Sequence, residues 1–104
     1  MRTQHTTNME IQETILQQLG GNTFLMMTGS KNLRGAQQSL TMDLTRNKIG
    51  AKYLTITLEA DDTYTMTFQS MRKFEIKTKA HFTDVYAEQL ASIFESTTGL
   101  YVSL

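Results

Sequence analysis

His81, Asp84 and Glu88 stand at spacings of three and four, which on one helix face is how a metal ion gathers its ligands. Only one histidine belongs to the set, and carboxylates also suit the first turns of a helix, where they meet the positive end of its dipole. No metal site is therefore expected. The segment Gly29-Ser30-Lys31-Asn32-Leu33-Arg34-Gly35 holds the glycine, lysine and serine of a phosphate cradle. The order is wrong for nucleotide hydrolysis, which needs Gly-Lys-Ser or Gly-Lys-Thr opening a helix, whereas here Gly35 precedes Ala36 and Gln37. Neither histidine has a marked nucleophile or acid beside it. Cysteine is absent, which excludes thiolate catalysis, cysteine-ligated zinc and iron–sulfur clusters. The chemistry-bearing residues thus point away from an enzyme, and no cofactor is expected.

Two surface patterns remain. The first is basic. Arg46, Lys48 and Lys52 share one turn, and Arg72 and Lys73 follow a strand that ends on the same side, because alternate turns of a meander lie at opposite ends of its sheet. Lys77 and Lys79 fall nearby, and Lys31 and Arg34 add cations from the 29–38 segment, while Asp61 and Asp62 lie at the far end. Such a basic end can meet phosphates; a solvated basic turn is the plainer account. Tyr53 and Phe74 are the nearby rings for base stacking. The second pattern is threonine. Thr55, Thr57, Thr63, Thr65 and Thr67 fall on one face of a hairpin, a candidate protein-docking face. Threonine is also an ordinary choice for a solvated sheet face, being β-branched and tolerant of water. Met26, Met27 and Met71 are candidates for an adaptable contact surface.

These residues need a scaffold. The 104 residues suit one domain. Residues 1–7 read as a flexible tail and 8–104 as a single α+β domain. Thr7 and Glu10 have capping-box spacing, and Ile11, Ile15, Leu16 and Leu19 make a helical stripe that stops at Gly20 and Gly21. Residues 23–28 read as a covered strand and 29–38 as a loop. Period-two alternation marks strands at 39–45, 53–59 and 63–69, and the 53–68 hairpin is the clearest. Phe74 and Ile76 begin a fifth strand or extend the fourth. Thr83 caps a second helix with Val85, Tyr86, Leu90, Ile93 and Phe94 inward, closed by Gly99. Residues 100–104 are expected to dock, and a short edge strand is one form this can take. The fold expected is an antiparallel sheet of four to five meandering strands, with the N-terminal and C-terminal helices packed on one face. No internal repeat, linker or low-complexity stretch is found.

Leu19-Gly20-Gly21-Asn22-Thr23-Phe24, Met27-Thr28-Gly29-Ser30-Lys31-Asn32, Tyr53-Leu54-Thr55-Ile56-Thr57-Leu58 and Phe94-Glu95-Ser96-Thr97-Thr98-Gly99-Leu100-Tyr101 resemble a family of short proteins of unassigned function found in phages and prophages. The resemblance covers most of the chain beyond the N-terminal tail and carries no functional residues with it. It implies a mobile-element setting, where small proteins bind nucleic acid or block host machinery.

The sequence-based expectation is a non-enzymatic phage-type binding module that contacts nucleic acid or a nucleoprotein through Lys31, Arg34, Arg46, Lys48, Lys52, Arg72 and Lys73. The alternative is a protein-binding inhibitor or accessory factor that acts on host machinery through the threonine face or a sheet edge. A homodimer by edge pairing through residues 100–104 fits either. Ten Lys and Arg balance ten Asp and Glu, so no overall charge draws the chain to an anionic surface. No apolar run is long enough to span a membrane and the start lacks the apolar stretch of a signal peptide, so the expected location is the host cytoplasm, with no membrane partner.

Overall fold

The computed structural model of the chain describes residues 5–102. Two helices open it, α1 (His5–Leu19) and α2 (Gly21–Thr28). Five strands follow, β1 (Lys31–Ala36), β2 (Ser39–Asp43), β3 (Tyr53–Leu58), β4 (Tyr64–Arg72) and β5 (Glu75–Val85). A 3-10 turn (Ala87–Gln89) leads into α3 (Leu90–Thr98). Every neighbouring strand pair is antiparallel and the spatial order is β1-β2-β3-β4-β5, an open meander. The α+β class, the meandering sheet and the placement of helices on one face are as expected.

The period of two decides which side chains enter the core. Leu40 and Met42, Leu54 and Ile56, and Tyr64, Met66 and Phe68 all turn to one face and are buried. Ile15 and Leu19 of α1, Phe24 of α2, and Leu90 and Phe94 of α3 cover them. The rings of Phe24 and Phe94 meet edge-on at 4.9 Å, joining the two short helices over the sheet. The outer face of α3 is mostly polar and stays in water, whereas that of α2 carries the exposed Met26 and Met27.

Residues 23–28 form a helix and not the expected strand. The reason lies at its end. Thr28 donates its hydroxyl to the Phe24 carbonyl (2.8 Å) and accepts from the Ser30 N–H (3.2 Å), and Gly29 follows in the left-handed conformation (φ 72°) with its N–H on the Leu25 carbonyl. The end of α3 repeats this. Thr98 donates to the Phe94 carbonyl (2.7 Å) and accepts from the Leu100 N–H (3.1 Å), while Gly99 (φ 78°) bonds the Glu95 carbonyl. Phe-x-x-x-Thr-Gly is thus a helix-terminating device used twice, and in α2 it outweighs the strand-like apolar run.

Four further expectations are corrected. Residues 31–36 are an edge strand and not a loop, held to β2 by Asn32 and Arg34 as described below. Thr7 lies inside α1, so it is not a cap, and residues 5–7 belong to the helix; residues 1–4 of the expected tail lie outside the described residues. Thr83 and Asp84 lie in β5 and cap nothing: pairing of Phe82 with Met66 and of Val85 with Tyr64 draws them into the sheet, across a bulge where Asp84 takes φ 55°. The turn into α3 is held instead by Gln89, whose side-chain carbonyl accepts from the Tyr86 N–H at 2.8 Å. Finally, residues 100–102 form no strand. The Val102 N–H is bound by the Glu95 carboxylate (2.9 Å), which docks the segment on α3, and residues 103–104 lie outside the described residues. The sheet edges are β1 and β5, so edge pairing through this segment has no basis among the described residues.

Candidate nucleic-acid interface

Every lysine and arginine of the described residues lies on the half of the molecule nearest the 44–52 loop, and the structure divides them into three groups. The first surrounds Asp43 on the open sheet face. Arg34 approaches the Asp43 carboxylate at 3.1 Å and Asn32 donates to it at 2.8 Å. The Asn32 hydrogen bond, and after it the Arg34 guanidinium, outweigh partial burial and hold the Asp43 carboxyl below its ordinary value. Arg34 and Lys52 each lie 5.6 Å from the centre of the Tyr53 ring. Lys31 sits across from Asp43 in the same row. Arg34 and Lys52 therefore have internal partners, and Tyr53 is covered.

The second group, Arg46 and Lys48, is on the 44–52 loop. That loop closes two helix ends. Thr45 donates its hydroxyl to the Thr28 carbonyl (2.7 Å), and the Lys48 N–H binds the Thr98 carbonyl (2.9 Å). Asn47 locks the loop, donating to the Thr45 and Ala51 carbonyls (both 2.7 Å). The C-termini of α2 and α3 carry partial negative charge, so cations on this loop complement the fold itself.

The third group has no such account. Strand β3 ends its pairing with β4 at Gln69. Beyond it, Ser70 with Lys77, Met71 with Ile76, and Arg72 with Glu75 continue as a two-stranded ribbon without a third strand. Residues 71–79 are all exposed. The ribbon carries Arg72, Lys73, Lys77 and Lys79 against the single carboxylate of Glu75, and these residues with Gly50 and Ser70 line a groove of about 360 Å³. Among the described residues no ion pair occupies the ribbon's cations. At its tip, Lys73 (φ 53°) and Phe74 (φ 67°) form a two-residue turn with both residues left-handed. Phe74 is 100% exposed, and Met71 and Ile76 stand uncovered behind it.

Of the expected nucleic-acid set, the structure brings Arg72 and Lys73 together on this ribbon, with Arg46, Lys48 and Lys52 on the adjacent loop and Lys31 and Arg34 at the other edge. Lys77 and Lys79 join the ribbon set. Alternation across 71–79 signals an exposed hairpin, but the glycine or asparagine that normally marks such a turn is missing, so its reach was not legible.

The threonine face holds Thr55, Thr57, Thr65 and Thr67, joined by Thr41. Several of its hydroxyls are engaged: Thr41 with Thr55 (3.0 Å), Thr65 with Glu59 (2.6 Å) and Thr67 with His81 Nδ1 (3.0 Å). Thr63 leaves the set, for it is buried in the β3–β4 turn, where its N–H and hydroxyl bind Asp61 Oδ1 at 3.1 and 2.7 Å. Those bonds, hydroxyl first, hold the Asp61 carboxyl low. His81 and Asp84 are on β5 and Glu88 on the 3-10 turn, so they share no helix face, and no cluster of metal-ligating side chains occurs among the described residues. Met26 is 83% exposed, and Met27 and Met71 are also uncovered. Among the described residues no helix is long and apolar enough to cross a membrane.

Comparisons with protein-family models, with curated proteins and with solved structures found no match.

Proposed function

We propose that this chain is a non-enzymatic nucleic-acid-binding module whose contact surface is the basic end of the sheet, centred on the β4–β5 ribbon. The observation that carries the reading is the third group of cations. Arg72, Lys73, Lys77 and Lys79 project on an exposed ribbon and meet no internal anion but Glu75. The overall charge of zero conceals this, because the acids Glu59, Asp61 and Asp62 occupy the opposite turn, and Glu10 lies beside Leu58 and Tyr64 at that same end. A polyanion meets the basic end as if the protein were cationic. The phage-type, host-cytoplasmic setting belongs to the same proposal and rests on the sequence resemblance alone.

The test is fluorescence anisotropy with labelled single- and double-stranded DNA and RNA at low and physiological salt. The expected result is binding that weakens steeply with salt and falls by about tenfold or more on Lys73→Glu with Lys77→Glu. No binding at low salt would overturn the reading.

A protein partner adding a strand to β5 is the second reading, favoured by the position of this eleven-residue strand at a sheet edge. It predicts association that ignores salt and those charge reversals.

A further inference from the structure

We infer that the ligand of the basic end is duplex DNA, and that Phe74 is a wedge that enters the minor groove and unstacks a base step while the ribbon cations hold the flanking phosphates. This rests on the nucleic-acid reading above and adds the ligand's form and the role of one residue.

The turn supplies the first argument. Two non-glycine residues sit in the left-handed region, where the Cβ crowds the backbone. Asn-Gly would form the same turn without that strain. The folded chain recovers nothing from the choice, because the Phe74 ring touches nothing and is wholly in water. An uncovered phenylalanine held in strain is accounted for by something outside the chain that covers it.

Reach and charge identify that something. Three residue pairs extend past the last row of β3, a projection of about 10 Å at roughly 3.3 Å per residue. The minor groove is about 7.5 Å deep but only about 6 Å wide, so the paired strands stay at its rim and the tip side chain alone enters, while the projection keeps the body of the sheet clear. Lys73 adjoins the ring, and Arg72, Lys77 and Lys79 follow on the ribbon where phosphates pass. Phe74 stands between Lys73 and the ribbon's one acid, Glu75, with three further cations behind it, and an apolar side chain on a net cationic arm is what minor-groove proteins use to part base steps.

Single strands fit less well. They are held by successive rings on which successive bases stack. Among the described residues the sheet offers one uncovered ring: Tyr53 lies beside Arg34 and Lys52, Tyr64 and Phe68 are buried, Phe82 faces the core, and the exposed Tyr86 and Tyr101 lie outside the strands.

The experiment uses short duplexes carrying 2-aminopurine at staggered positions, with dyes at the ends, titrated with the full chain at low salt. Unstacking brightens 2-aminopurine and bending brings the dyes together; a rise of about twofold or more at one or more positions is expected. Phe74→Leu should keep the rise. Phe74→Ala should abolish it while retaining salt-sensitive binding, and its far-ultraviolet circular dichroism should be unchanged because the ring supports no packing. A rise that survives Phe74→Ala, duplex binding with no rise, or tighter binding of the single strand overturns the wedge and leaves the nucleic-acid reading in place. Absence of all DNA and RNA binding at low salt overturns both. Capture by phosphatidylserine vesicles without duplex binding also overturns the wedge, assigning Phe74 to a lipid surface.

Discussion

Thr28 and Thr98 show how much one hydroxyl can do. Each is almost wholly buried, donates back to the carbonyl of a core phenylalanine and accepts an N–H from the chain as it leaves the helix. Valine keeps the shape and deletes these bonds, and at residue 28 also the hydrogen bond with the Ser30 hydroxyl (2.8 Å), leaving buried polar groups without partners. Thr28→Val or Thr98→Val is expected to cost about 1–3 kcal/mol, and serine at either site to recover most of it. Urea denaturation midpoints measure this. Asp43 gives a second residue-scale prediction. Its folded carboxyl titrates below the ordinary value, chiefly through Asn32 and then Arg34. A depressed carboxylate stabilises the fold fully above its unfolded value, about 3.9, and that contribution is lost as pH falls through the lower folded value. Stability measured from pH 7 downward should therefore drop more below about pH 4 in the native chain than in Asp43→Asn. At this scale the sequence was most informative about residues with a local role. Gly99 was legible as a helix end. The identical role of Gly29 was legible in principle, because Phe-x-x-x-Thr-Gly precedes both, but the apolar run at residues 24–27 suits a covered strand equally well.

Among the elements, the strict alternation of residues 53–58 and 64–68 specified their pairing, since a one-residue slip would turn every core side chain to water. The β4–β5 ribbon obeys the same alternation but lacks a conventional turn, so its length and exposure had to be seen. Replacing Lys73-Phe74 with Asn-Gly is expected to raise stability by about 1–2 kcal/mol, read from the denaturation midpoint, while removing DNA unstacking. Opposite signs in the two readouts would separate a functional turn from one merely tolerated. Helix α3 makes the converse point. Thr83 and Asp84 are good helix-starting residues, yet β4 offers β5 a ladder that resumes past their bulge and an inward row for Phe82 and Val85, and the helix waits until Leu90.

The whole molecule is electrically polarised along the strands. The chain, formally neutral at pH 7, is expected to bind a heparin column at low salt and elute as salt rises. Lys73→Glu with Lys77→Glu should elute earlier, whereas neutralising Asp61 and Asp62 at the far turn should change little. The core joins the same parts differently. Phe94 meets Phe24 across the two Thr-Gly-ended helices and also packs near Phe68 of the sheet, with centroids 4.9 and 6.4 Å away. Phe94→Ala is expected to cost about 3–5 kcal/mol, seen as a lowered thermal midpoint, because the void would lie where helices and sheet meet.

By itself the sequence determined the class of the fold, the inward and outward faces of β2, β3 and β4, and the segregation of cations from acids at opposite turns. All of these follow from local periodicity and chain reversal. Tertiary structure settled residues 21–28, where the sequence holds both a helix-ending Thr-Gly and a strand-like run, and alone decided that residues 31–36 complete the sheet and that β5 runs on through Thr83. In each case the outcome depended on partners distant in sequence: the 44–52 loop that receives both helix ends, Asp43 for Asn32 and Arg34, and β4 for β5. It also decided which cations are free. Arg34 and Lys52 have anionic or aromatic neighbours, the Lys48 backbone binds the end of α3, and the ribbon carries four cations and its phenylalanine past Gln69, where no third strand follows it.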